Sequence, residues 1–119
     1  MATTQFIKTT DCNGTSNLSH LLSHRDQLVF NRLRPSQIEA VFGPGEEVGL
    51  PEKGYTDPEW YFRASDGCVW GIGWRWGQTR LRGRGGKLRD SGFWFDPPTP
   101  DSAAEFVAFL TREVFNAQG

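Results

Sequence analysis

The sequence predicts an α+β domain: an antiparallel sheet of about four strands, with helices before it and one C-terminal helix packed on one face. Three observations lead there. Two alternating, aromatic-rich runs flank Asp66-Gly67, a third alternating run follows at Gln78 to Arg84, and Ala103, Phe106, Val107, Leu110 and Val114 recur at helical spacing near the end. The 119 residues allow one core, and 37% hydrophobic with 13% aromatic content is enough to fill it.

Residues 1–17 are rich in Thr, Asn and Ser, with Phe6-Ile7 the one apolar pair, and read as a flexible N-terminal arm or a short edge strand before a single domain at 18–119. From Leu18 to Leu33, the positions Leu18, Leu21, Leu22, Val29 and Leu33 fit one helical stripe, although Gln27-Leu28-Val29-Phe30 also fits a short strand. A two-turn helix follows, because Pro35 and the capping spacing Ser36-Gln37-Ile38-Glu39 open it and Gly43-Pro44 closes it. Residues 44–58 carry three Pro and three Gly without periodicity, which predicts a long loop.

Glu59 to Ala64 and Cys68 to Trp76 then form a hairpin, for which Asp66-Gly67 suggests a type I′ turn. Gln78 to Arg84 is the third strand after a turn at Gly77, and Gly83-Arg84-Gly85-Gly86 reads as a flexible tip. Gly92 to Asp96 makes a fourth short strand, ended by Pro97-Pro98. The last helix starts at Thr99 with Pro100 in its first position.

Strand alternation divides the side chains. Trp60, Phe62 and Ala64, then Cys68, Trp70, Ile72, Trp74 and Trp76, then Leu81, take the core side. Tyr61, Arg63, Arg75, Arg80, Arg82 and Arg84 take the other, around Gly71 and Gly73. That second face is either an open binding surface or a covered one with arginines at its rim. If Phe93 and Phe95 point inward, Trp94 points out.

Charge follows the same segregation. Residues 63–89 hold seven basic side chains and one acid, a net +6, whereas residues 1–62 carry −3 and residues 90–119 carry −4. Ten of the thirteen bases are Arg, the side chain that forks onto phosphate or carboxylate and stacks on planar groups, although a G+C-rich genome also raises Arg content.

Chemistry is less well represented. His20 and His24 share a helical spacing, and Cys12 and Cys68 could add zinc ligands, but neither Cys-x-x-Cys nor the glutamate of His-Glu-x-x-His accompanies them. They read as surface or capping histidines. Cys68 falls on the core face and Cys12 in the arm, a poor start for a thiolate nucleophile. Glu46-Glu47 and Asp57/Glu59 read as solvated loop charge. Gly83-Arg84-Gly85-Gly86-Lys87 departs from a phosphate-binding Walker loop at Leu88, where Ser or Thr is required. No apolar run is long enough for a membrane helix, and residues 1–19 lack a secretory pattern, so the expected compartment is the cytoplasm.

Val41-Phe42-Gly43-Pro44, Trp60-Tyr61-Phe62, Asp66-Gly67 and Ile72 together resemble a pattern of small phage-encoded proteins: a helix ending in Phe-Gly, a Trp-x-Phe strand, an Asp-Gly turn and a second strand. The resemblance covers about half of the chain and leaves out the Arg-rich third strand. It implies a small non-enzymatic protein that occupies the surface of a host macromolecule, as anti-defence and anti-CRISPR inhibitors do.

The sequence expectation is therefore a non-catalytic binding protein without a cofactor or metal. Its partner surface would comprise Tyr61, Arg63, Arg75, Arg80, Arg82, Arg84, Lys87, Arg89 and Trp94. The expected partner is an acidic protein surface or a nucleoprotein complex. Nucleic acid, a small nucleotide-like anion and self-association are the alternatives, and no membrane is involved.

Overall fold

The computed structural model describes residues 4–50, 55–75 and 77–118. Among these residues the chain runs β1 (Phe6–Thr9), β2 (Ser16–Asn17), a 3-10 turn (Ser19–Leu21), α1 (His24–Phe30), α2 (Pro35–Phe42), β3 (Glu46–Leu50), β4 (Tyr55–Ala64), β5 (Val69–Arg75), β6 (Gln78–Arg84), β7 (Lys87–Leu88), β8 (Trp94–Phe95) and α3 (Pro100–Gln118). The first six strands form one antiparallel sheet in the order β1-β4-β5-β6-β2, with β3 also on β4. β3 pairs with residues 55–59 of β4 and β1 with residues 61–64, so the two share one edge of that long strand end to end. β7 and β8 make a separate two-stranded ribbon.

The α+β class is as the sequence predicts, and the three helices cover one face of the sheet. Trp60, Phe62, Ala64, Cys68, Trp70, Ile72 and Leu81 from the strands meet Phe30, Leu33, Ile38 and the α3 stripe of Ala103, Phe106, Val107, Leu110 and Val114, all buried. Burying each large member of that stripe contributes about 1.5–3 kcal/mol, which is why α3 holds its place. Trp70 stacks on Phe106 with ring centroids 5.9 Å apart, and Phe42 meets Phe62 edge-on at 4.9 Å. α3 is opened by a reciprocal cap in which the Ser102 amide donates to Thr99 Oγ1 at 3.1 Å and the Thr99 amide donates to Ser102 Oγ at 2.9 Å.

Several local expectations are corrected. Residues 18–33 are not one helix: the 3-10 turn comes first, Leu22 is extended, and α1 begins only after Ser23 accepts from the Asp26 amide. Residues 27–30 are helical. α2 starts one residue before the expected cap, with Pro35 in its first turn and the Gln37 side chain accepting from the Arg34 amide at 2.9 Å. The long loop at 44–58 is instead the β3–β4 hairpin, whose edge strand is hidden in the sequence because Glu46-Glu47 and Gly49 break the apolar alternation. Residues 51–54, between the two strands, lie outside the described residues.

Asp66-Gly67 does turn the β4–β5 hairpin, but not as type I′. The Gly67 amide donates to Ala64 O at 2.9 Å and the Ala64 amide to Cys68 O at 2.8 Å, and Gly67 alone has positive φ, +91°. This is a three-residue loop, a type I turn closed by a glycine bulge. Arg89 and Phe93 close the β7–β8 ribbon in the same way: the Arg89 amide donates to Phe93 O at 2.8 Å, and Gly92 has φ +85°.

The glycine run after β6 is not a flexible tip. Gly85 is buried, and a Cβ placed on it would lie 2.6 Å from Phe95 O, while one on Gly86 would lie 2.9 Å from Asp66 O. These residues let the ribbon fold back onto the β4–β5 turn. Phe93 is 73% exposed and Trp94 half-buried, so the inward Phe93 on which an outward Trp94 depended is not found. No described helix is long and apolar enough to cross a membrane.

Candidate binding surface

The second face of the sheet is built from three cross-strand rows. Arg63 pairs with Val69 and Val69 with Arg84; Tyr61 pairs with Gly71 and Gly71 with Arg82; Glu59 pairs with Gly73 and Gly73 with Arg80. The registers confirm that Arg80, Arg82 and Arg84 share a face with Tyr61 and Arg63. Arg75 pairs with Gln78 at the far end of β5.

This face is largely covered, which corrects the open-surface reading for its middle. Tyr61 is 2% exposed and Arg84 8%. Part of the chain expected to be a flexible arm does the covering: after β1 has paired with β4, Asp11 and Thr15 lie across the arginines and Ser16–Asn17 pair with β6. Asp11 Oδ2 accepts from Arg84 Nη2 at 2.9 Å and from Arg63 Nη2 at 3.2 Å. Arg82 Nη2 donates to Thr15 O at 3.2 Å. Trp94 closes the end, with the Arg84 guanidinium carbon 4.0 Å from its ring centroid.

The electrostatics explain the arrangement. Burial alone would raise the Asp11 carboxyl, but its bond to Arg84, the Asn13 amide and the charges of Arg84 and Arg63 outweigh burial and hold it below its usual value of 3.8. Glu59, a buried carboxylate, accepts from the Tyr61 hydroxyl and stands 3.7 Å from Arg82 Nε. Burial first, and then that bond to Glu59, push the Tyr61 hydroxyl up to about 12. Gly71 and Gly73 serve this packing rather than an outside partner. A Cβ on Gly71 would lie 2.6 Å from the Tyr61 ring, and one on Gly73 would lie 3.2 Å from the Glu59 side chain.

Of the nine residues expected to bind a partner, the Arg75 side chain lies outside the described residues, and the other eight separate. Tyr61, Arg82 and Arg84 are held in internal contacts, and Trp94 is half-buried beneath Arg84. Arg63, Lys87 and Arg89 are exposed, and Arg80 is half-buried with its Nε unpaired. Lys87 and Arg89 lie over the Phe95 ring at 5.8 and 4.7 Å, so the ribbon carries two solvent-facing cations on an aromatic support. Beside them Leu88 is 58% exposed, and Phe93 more so. Sequence reasoning did not single out Leu88 or Phe93, because alternation left the side of Phe93 open and Leu88 figured only as a departure from the Walker pattern. It also missed Glu59, which the parity of Tyr61 and Arg63 places on the arginine face, and Asp11, for which the sequence holds no comparable signal.

The residues considered for chemistry stand apart. His20 lies in the 3-10 turn and His24 opens α1, both exposed, with extended backbone between them, so they do not share a helix face. Cys12 is exposed. Cys68 is buried and donates to Asp96 O at 3.4 Å; burial, followed by the Asp66 charge, pushes its thiol up to about 12, the wrong direction for a nucleophile. Among the described residues no cluster of three or more His, Cys, Asp or Glu could hold a metal ion. Comparison of the chain with protein-family models, with curated proteins and with solved structures yields no match.

Proposed function

We propose that this chain is a non-catalytic binding protein that occupies an acidic surface of a host protein or nucleoprotein complex and inhibits by covering it. The observation that carries the reading is the β7–β8 ribbon, which exposes Leu88 on one side and, by alternation, Phe93 on the side of the exposed cations Lys87 and Arg89. Large apolar side chains left in water next to fixed charge are the composition of an interface centre with a cationic rim. The ribbon is held by Gly85 and Gly86 against neighbouring main chain and by Arg84 on Trp94, so little ordering is left to do on binding.

The test is capture from lysate by tagged wild type and by the Leu88→Ser/Phe93→Ser variant, at low and moderate salt, with protein and nucleic acid both assayed. A defined protein complex retained by the wild type at moderate salt and lost by the variant supports the reading. Nucleic acid that elutes as salt rises, from both proteins equally, identifies a phosphate binder instead. Equal capture of the same proteins by both removes the ribbon from the site.

A further inference from the structure

A second site lies on a different edge of the molecule and does not depend on the ribbon. The outer edge of β6 is covered only along its second half. There Ser16 and Asn17 pair with Gly83 and Arg82, the Leu18 amide donates to Leu81 O at 2.8 Å, and the Leu81 amide donates to Ser19 Oγ at 3.2 Å. Main-chain groups alternate sides along an antiparallel strand, so the amide and carbonyl of Thr79 point the same way as those of Leu81. β2 has ended by that point, and among the described residues no strand takes its place beside Gln78–Arg80.

A cleft of about 540 Å³ opens on this bare stretch, between β6 and α1. Arg34, Arg80, Gln27, Asn31 and Gln78 line it, and among the described residues no carboxylate does. The Thr79 hydroxyl is turned away to donate to Leu33 O at 2.9 Å, so Thr79 offers the cleft its main chain. The buried Nε of Arg80, Arg82 and Arg84 alike makes no hydrogen bond, but Arg82 and Arg84 have carboxylate partners in Glu59 and Asp11, whereas Arg80 has none among the described residues. The cleft thus combines the outward-facing main chain of Thr79, a residue 6% exposed, with cationic and amide donors lacking a counter-charge.

We propose that this cleft takes a short acidic peptide in extended conformation, added as a strand along Gln78–Arg80 with a carboxylate on the Arg80 guanidinium. The strand edge supplies affinity through main-chain hydrogen bonds, and the charge selects the side chain.

The probe is acetyl-Glu-Val-Glu-Val-amide, titrated into the isotopically labelled full chain with the Thr79 amide resonance followed. Two isomers of the probe carry N-methyl groups on alternate residues, so that only one retains the amides facing β6. The expected result is a saturable shift at Thr79, retention by one isomer and loss of at least tenfold in affinity by the other, and a similar loss in both Arg80→Gln and Arg80→Glu. Equal binding of the two isomers, no shift at Thr79 with millimolar peptide, or unchanged affinity in both Arg80 variants would overturn the proposal. The same Thr79 shift with inorganic phosphate alone would also overturn it, by reducing the site to an anion pocket. Ribbon variants leave all these readouts unchanged.

Discussion

The Arg84 guanidinium carbon lies 4.0 Å from the Trp94 ring centroid while its Nη2 donates to Asp11 Oδ2 at 2.9 Å. A single side chain therefore ties three segments together: β6, the strap after β1, and the β7–β8 ribbon. With Arg84 only 8% exposed, this is a cation removed from water and compensated by one carboxylate and one ring face. It explains how a ribbon with only two residues per strand keeps a fixed orientation outside the main sheet.

Asp11 should make stability depend on pH in the acid range. Its folded pKa is depressed below 3.8, so its contribution is full above that value and is lost as pH falls through the lower, folded pKa. Asp11→Asn should cost about 1–3 kcal/mol at pH 7, because it leaves the buried Arg84 without a counter-charge. Urea unfolding of both proteins at pH 7 and below pH 3 tests this, the difference shrinking at the lower pH.

The fit of Tyr61 over Gly71 predicts a coupled pair. Gly71→Ala should destabilise by about 1–3 kcal/mol through overpacking against the ring. In a Tyr61→Leu background the same substitution should cost measurably less, since the atoms it strikes are gone. A four-protein unfolding cycle gives the coupling directly.

Where one physical cue decides an element, the sequence is readable. α3 has a cap, a proline and an unbroken apolar stripe, and all five predicted stripe residues are buried. β6 is bracketed by Gly77 and Gly85, and its parity follows from Leu81. β3 is an edge strand whose charged and glycine residues satisfy no periodicity, so only its pairing with β4 reveals it. The division of the arginines is likewise a tertiary matter. Nothing local distinguishes Arg84 from Arg80; contact with Asp11 and Trp94, which come from distant parts of the chain, does so.

The two thiols should differ sharply. Cys12 is exposed, whereas Cys68 is buried, bonded to Asp96 O and raised to about 12. Native protein at pH 8 should react with one equivalent of a disulfide reagent quickly and with the second only after unfolding. Raised values for Cys68 and Tyr61 also mean that the unfolded chain releases these protons first, from about 9 and 10, so stability should fall as pH rises from 9 toward 12.

On the proposed reading the basic segment is divided, with Arg84 of β6 holding the fold and Lys87 and Arg89 of the ribbon meeting the partner. The direct measurement is thermal stability and partner capture, side by side, for Arg84→Ala and Lys87→Glu/Arg89→Glu. Arg84→Ala should melt at a lower temperature, whereas the ribbon variant should melt with the wild type yet capture nothing. A ribbon variant that captures as the wild type does, or an Arg84→Ala protein that loses capture without losing stability, would contradict that reading.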